Sequence, residues 1–362
     1  MTWNYTWLAA LPPAIFILPA IFTITAQAAD VKPATAKPAR KAPPKTAPKV
    51  EDIRVPLGLL PIQWPPENPY SHAKVELGKL LYFDNRLSAD GSVSCATCHH
   101  PKFAFADGAT VSTGIKGQKG GRSAPTVLNR AYNLAQFWDG RAATLEEQAK
   151  GPMMNPIEMG HTHDAIVTKL RAIPGYQPLF KAAFGTETFD IDHVAKAIAT
   201  FERTVLSGNS PFDQWKAGNK KAMAPDQVRG MDLYFGKAKC DQCHEGINFT
   251  SNSYRNLGIG TDKPHPDEGR YVVTKNPEDW GSFKTPTLRE IANTAPYMHD
   301  GRFQTLQEVV DFYDKGGIPN KNLDKTMKPL KLTDQEKTDL VAFLKALSGE
   351  GWKIQEPTQF PE

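Results

Sequence analysis

The chain has 362 residues, room for two domains of ordinary size, and is 40% hydrophobic and 23% charged. That balance is the balance of a soluble globular protein and sets aside a fibrous or wholly disordered chain. The net charge of +4 is carried by a short N-terminal stretch, so it gives no ground for a nucleic-acid partner.

Residues 1–28 read as a secretory signal. Leu8 to Ile24 is uncharged and apolar, and Ala26-Gln27-Ala28 fits an A-x-A cleavage pattern. No Lys or Arg precedes the run, and Pro12, Pro13 and Pro19 interrupt it, so an uncleaved membrane anchor is the alternative. A proline-broken span of this length is at the short limit for crossing a bilayer. Residues 29–52 hold a Pro/Ala/Lys-rich tether, in which Lys32, Lys37, Arg40, Lys41, Lys45 and Lys49 stand against Asp30. The rest of the chain is therefore close to neutral. The tether cannot bury enough apolar surface to fold, and in an extended form it would reach roughly 60 Å. A solvated spacer is the expectation; peripheral docking to a membrane or an acidic partner is the other reading.

All four cysteines fall in two copies of one pentapeptide, Cys95-Ala96-Thr97-Cys98-His99 and Cys240-Asp241-Gln242-Cys243-His244. C-x-x-C-H is the attachment pattern of c-type haem: the thiols add across the haem vinyls and the histidine lies where it can ligate iron. A lone C-x-x-C could be a redox dithiol or half a zinc site. Two copies, each with its histidine and with no cysteine left over, make both unattractive. The pattern implies two covalently bound haem c groups and the periplasmic side of the membrane, and it leaves no structural disulfide.

The haem motifs belong to a longer duplication. Pro125-Thr126, Asp139-Gly140-Arg141, Thr144-Leu145 and Glu147 recur as Pro286-Thr287, Asp300-Gly301-Arg302, Thr305-Leu306 and Glu308, always 161 residues on. Gly78-Lys79-Leu80-Leu81-Tyr82-Phe83 is echoed by Gly230-Met231-Asp232-Leu233-Tyr234-Phe235. Residues 53–220 and 221–350 are the two units expected, with 351–362 a tail. Both should be helical. Thr144/Glu147, Thr305/Glu308 and Thr333/Glu336 are capping boxes. Val194, Ile198, Phe201 and Val205 form one helical stripe, and Leu340, Phe343, Leu344 and Leu347 another that ends at Gly349. No long strand pattern appears.

What faces each iron opposite its histidine decides the chemistry, because an iron ligated on both faces transfers electrons and an open one binds peroxide or dioxygen. The loop Thr113 to Arg122 is glycine-rich and has neither His nor Met. Beyond it come Gln148 and Glu158, an amide and a carboxylate of the kind that hold peroxide and move its proton. His161 and His163 are rival ligands that would close the site. In the second unit Leu306, Val309, Val310 and Tyr313 share a helix face, which by spacing alone makes Tyr313 a core residue. Met298 is another candidate ligand, and spacing does not choose between them.

Together Ala124-Pro125-Thr126-Val127-Leu128-Asn129, Gln136-Phe137-Trp138-Asp139-Gly140-Arg141, Phe201-Glu202-Arg203-Thr204, Ser210-Pro211-Phe212-Asp213 and Thr285-Pro286-Thr287-Leu288-Arg289 through Asp300-Gly301 resemble the bacterial dihaem cytochrome c peroxidase/MauG family, over roughly Ile53 to Gly349. The resemblance implies two cytochrome-c-like helical domains, a calcium ion between them and an active site at the first haem. It makes His99 and His244 the proximal ligands, Trp138 the residue between the haems, and Gln148 and Glu158 the peroxide-handling pair. Thr294 and Pro296 match calcium-binding carbonyls; the family's third ligand, an Asn side chain, is replaced by Ser123. Two departures from the peroxidase pattern stand out. The histidine that caps the first haem in the glycine-rich loop is Ile115 here, so that iron should be five-coordinate. The methionine on the second haem is Tyr313 here, as in the MauG branch, which promotes Tyr313 and demotes Met298.

The leading expectation is therefore a hydrogen-peroxide-dependent haem enzyme of MauG type, whose His/Tyr haem stores or relays oxidising equivalents on the way to a side chain of a partner protein. The alternative is a peroxidase reduced by a small cytochrome or cupredoxin. A dihaem electron carrier without peroxide chemistry is the third reading.

Overall fold

The computed structural model describes residues 53–362; the signal and tether expected in residues 1–52 lie outside the described residues. The first half runs through α1 (His72–Phe83), the single turn α2 (Cys95–Cys98), α3 (Leu145–Met154), α4 (His163–Arg171), α5 (Tyr176–Phe184) and α6 (Ile191–Arg203). The second runs through α7 (Pro211–Lys216), α8 (Pro225–Phe235), α9 (Tyr271–Thr274), α10 (Leu306–Lys315) and α11 (Asp334–Lys345). Two-residue strands β1 (Tyr254–Arg255) and β2 (Phe283–Lys284) pair antiparallel, with Tyr254 opposite Lys284. The fold is mainly helical, and no described helix is long and apolar enough to cross a membrane.

Reciprocal capping boxes open α10 at Thr305/Glu308 and α11 at Thr333/Glu336. At α3 only half of the box forms: Thr144 accepts from the Glu147 N–H, while the Glu147 carboxylate reaches past the cap to the Ala143 N–H at 2.8 Å. Both apolar stripes are buried, but each helix stops short of its last member. Val205 follows the end of α6, and α11 ends at Lys345, before Leu347 and Gly349. Tertiary packing, not helical register, buries those two residues.

Equivalent glycines set equivalent helix crossings. A Cβ on Gly78 of α1 would lie 1.9 Å from the Ala197 carbonyl oxygen of α6, and one on Gly230 of α8 would lie 1.9 Å from that of Asp339 of α11. Alanine would add up to about 1 kcal/mol of helix propensity, but overpacking of this kind costs about 1–3 kcal/mol. Gly230→Ala is therefore expected to lower stability, read as a fall in the thermal midpoint of the haem-loaded protein; an unchanged or raised midpoint would refute the close-crossing argument.

Two apolar clusters result. One gathers α1, α5 and α6 around Leu77, Leu81, Tyr82, Phe180, Ile198 and Phe201; the other gathers α8, α10 and α11 around Tyr234, Val310, Leu340 and Phe343. Phe212, ahead of the expected boundary at 220/221, belongs to the second cluster, and Trp352 of the tail belongs to the first. The tail continues across the first half, where Gly175 N–H bonds the Glu362 carbonyl at 2.8 Å and His100 meets Glu356 at 3.1 Å. Both halves lie in one compact unit.

The halves meet in a pseudo-symmetric way. Ser123 N–H donates to the His299 carbonyl at 2.8 Å, and Lys284 N–H donates to the Trp138 carbonyl at 2.7 Å. Ser123 and Lys284 are 161 residues apart, as are Trp138 and His299, so each repeat gives the other the same bond. Gln136/Ala142 and Tyr297/Phe303 form matching bridges, and Phe137 and Met298 take left-handed backbone at φ 66° and 70°.

Candidate functional site

Each C-x-x-C-H segment starts with one helical turn. Ser94 and Thr97 cap the first reciprocally, and the i,i+3 spacing turns Cys95 and Cys98 to one side; the second is a 3₁₀ turn over Cys240–Gln242. The tyrosines of the repeated Gly78–Phe83 and Gly230–Phe235 segments hold the histidines from behind. Tyr82 Oη donates to the His99 carbonyl at 2.7 Å, and Tyr234 Oη donates to that of His244 at 2.5 Å.

All four thiols are unpaired. Burial pushes Cys98 up to about 11 and Cys240 up to about 12, and raises Cys95 and Cys243 as well. A redox dithiol works through thiolate, so these four are poor candidates for one. Burial also lowers His99 and His244 to about 4, leaving neutral imidazoles with a nitrogen free for iron. His244 Nδ1 faces the carbonyls of Phe249 and Pro286, each at 3.2 Å, which fixes its tautomer and leaves Nε2 for the metal. In the first unit the carbonyls of Phe105 and Pro125 stand near His99 Nδ1 without reaching hydrogen-bond geometry.

Cys240, Cys243, His244 and Tyr313 line one cavity of about 590 Å³, within the roughly 300–1,000 Å³ usual for cofactor sites. The cavity and its donors fit a covalently attached haem. Burial raises the Tyr313 phenol, with the Cys240 and Cys243 thiols adding in the same direction; that second contribution ends once the sulfurs are thioethers. Met298 lines the same cavity, so the chain brings both candidate ligands to it.

Around the first motif, the glycine-rich loop folds onto the Glu158 segment. Ile115 N–H bonds the Glu158 carbonyl at 2.9 Å, and a Cβ on Gly160 would meet Ile115 Cδ1 at 2.2 Å. Burial raises the Glu158 carboxyl above its ordinary value, opposed by the Arg141 charge and by a 2.7 Å hydrogen bond from Asn155 Nδ2. The Glu158 charge in turn adds to the rise of the Cys98 thiol, after burial and with Asp107. Gln148 lies half-buried on α3. His163 Nε2 is within 3.0 Å of the Lys150 carbonyl, and His161 Nδ1 accepts from Thr162 N–H at 3.0 Å. The rival ligands thus have one ring nitrogen each engaged at the α3–α4 corner.

Trp138 lines the second cavity, with its Nε1 donating to the Ser123 carbonyl at 2.9 Å and its ring edge-on to His299 at 6.4 Å. A family profile described as di-haem cytochrome c peroxidase matches residues 72–221. The methylamine utilization protein MauG of Methylorubrum extorquens is 44% identical over 296 residues, covering 81% of this chain and 83% of that protein. The chain belongs to the dihaem cytochrome c peroxidase/MauG family. Cytochrome-c peroxidase IdrP1 of Pseudomonas sp. strain SCT is 41% identical over 328 residues, covering 82% and 86% of the two chains. The crystal structure of a MauG-like protein associated with microbial copper homeostasis matches at a TM-score of 0.76 and 35% identity, over 82% of this chain and 95% of that one. As a dihaem peroxidase the protein is a hydrogen-peroxide-dependent oxidoreductase built to carry two haem c groups.

For this dihaem peroxidase, Ser123, Thr294 and Pro296 line the same cavity. Among the described residues no cluster of three His, Cys, Asp or Glu could hold a metal, so a cation there would depend on neutral oxygens. The motifs gave no role to Arg130, Lys284 or Glu202, although Glu202 stands in one of the stretches that carry the resemblance. All three are buried, and burial pushes the Glu202 carboxyl up to about 8. The repeat offset would have flagged the first two, because Ile291 and Ser123 stand at the matching positions.

Proposed function

We propose that this dihaem peroxidase is a MauG-type oxidant exported to the periplasm, with an iron open to peroxide on His99 and an iron held by His244 and Tyr313. The observation that supports the reading is the pairing of Ile115, which has no iron-binding atom, in the loop folded on Glu158 with Tyr313 on the wall of the second haem cavity. When attached, haem supplies the redox-active iron at each site. Glu158 carries a proton between the peroxide oxygens at its carboxylate, and Gln148 holds peroxide by hydrogen bonding. Trp138, fixed through Nε1 by the Ser123 carbonyl, is the charge path between the units. A tyrosinate at Tyr313 is a hard anion that favours oxidised iron, whereas a thioether would raise the potential. The reading makes a partner-protein side chain the substrate.

Electron paramagnetic resonance of the ferric protein tests it. One high-spin and one low-spin haem are expected, and Tyr313→Phe should alter only the low-spin signal. Two low-spin haems would refute an open iron at His99. The relative named a cytochrome-c peroxidase favours a second reading, supported by steady turnover with a small cytochrome or cupredoxin without prior reduction. A calcium ion at Ser123, Thr294 and Pro296 belongs to the proposal. With no carboxylate among the donors its binding should be weak, since affinity follows ligand charge, and a chelator should shift the ferric spectrum reversibly. Export is read from the N-terminus of the mature protein, expected just after Ala28.

A further inference from the structure

Two lysines are buried among the described residues, and they differ in one respect. Lys74, 7% exposed, donates to Asn68 Oδ1 at 3.1 Å and to the Pro69 carbonyl at 2.6 Å. Lys284, 3% exposed, lines the second haem cavity, and its ammonium has no hydrogen-bond or ion-pair partner among the described residues. Burial and the charge of Arg130 both drive its pKa well below the usual amine value. Arg130 lines the same cavity, donates only Nε to the Thr126 carbonyl at 2.6 Å, and exchanges charge effects with Glu202 and His99. A buried ammonium with no anion is unfavourable, and the haem brings carboxylates of its own. The repeat offers neither cation a counterpart, since Ser123 matches Lys284 and Ile291 matches Arg130. Lys284 is also the last residue of β2, and its N–H bonds the Trp138 carbonyl at the junction of the halves.

We propose that Lys284 and Arg130 form a buried cationic clamp for haem propionates at the junction of the two units, and that Lys284 holds a propionate of the second haem and raises that haem's reduction potential. A cation near the iron favours the form that has gained an electron, so its removal favours ferric iron. This does not rest on the identity of the ligand opposite His244, because each variant is compared with the parent protein.

The test is spectroelectrochemical titration of the haem-loaded protein. Lys284→Met is expected to shift the reduction equilibrium of the second haem roughly tenfold toward ferric, which is about 59 mV for one electron. Lys284→Arg should restore the parent value. Arg130→Met should lower both potentials, because its charge bears on His99 and on the second cavity. Lys284→Gln, polar but uncharged, is read in the same way should the methionine variant fold poorly. Haem loss from the Met and Gln variants but not from Arg would also support the clamp. Unchanged potentials in Lys284→Met, or equal haem loss in all three, would overturn it by showing that Lys284 only packs.

Discussion

Replacing Glu158 by Gln should slow the reaction with hydrogen peroxide by a factor of about 10² to 10⁴, the usual worth of a positioned acid–base group, while haem content and the ferric spectrum stay as in the parent. The carboxyl is half-buried, held by Asn155 Nδ2 at 2.7 Å, on a segment bonded to the Ile115 loop. Gln keeps the shape but cannot take up the proton as a base. Burial raises the Glu158 pKa, and the base form is the active one. The parent's second-order rate with peroxide should therefore fall on acidification at a pH above the ordinary carboxylate value of about 4.3, and that limb should be missing from the variant. Stopped-flow rates across pH measure both. A variant as fast as the parent would remove Glu158 from the proton path.

Asp213→Ala should cost about 3–5 kcal/mol of stability, because it leaves an arginine charge buried without its partner. Arg289 and Asp213 have side chains only 1% and 3% exposed and pair through two bonds of 2.7 and 2.9 Å. Arg289 also donates to the Ile247 carbonyl at 2.7 Å and the Gly58 carbonyl at 3.2 Å, so one guanidinium ties the N-terminal segment, α7 and the second haem loop together. Denaturant unfolding of the haem-loaded protein measures the loss. The double replacement Asp213→Leu with Arg289→Met should recover most of it, since an apolar pair of similar volume does not leave a charge stranded. The pair also has a pH signature. Burial opposes ionisation of Asp213, but its hydrogen bonds and the Arg289 charge outweigh that and depress its pKa. The stability it contributes is fully present above the unfolded value of about 3.9 and is lost as pH falls through the lower folded value. The double variant should lack that acid limb.

Local chemistry was legible wherever one short segment carries it. C-x-x-C-H places two sulfurs and an imidazole within a single turn, so Cys95, Cys98, His99 and their second copies needed no tertiary information. The capping boxes at Thr305 and Thr333 and the repeat offset were equally local. Helix ends were less so: the stripes through Val205 and Leu347 run past α6 and α11 because residues beyond a helix can still be buried by neighbours. Tyr313 and Met298 could not be separated by spacing, and both line the cavity; only the resemblance to known relatives distinguishes them.

The sequence alone therefore showed the duplication and its two C-x-x-C-H segments, since the cysteines and histidine of each lie within about one turn of each other. Only the tertiary structure decided what the halves exchange. The reciprocal bonds of Ser123 with His299 and Lys284 with Trp138, the buried pair of Arg289 with Asp213, and the partnerless ammonium of Lys284 all join residues far apart in the chain. Burial and charge pairing depend on what is folded against a side chain, and periodicity along one segment carries no record of that.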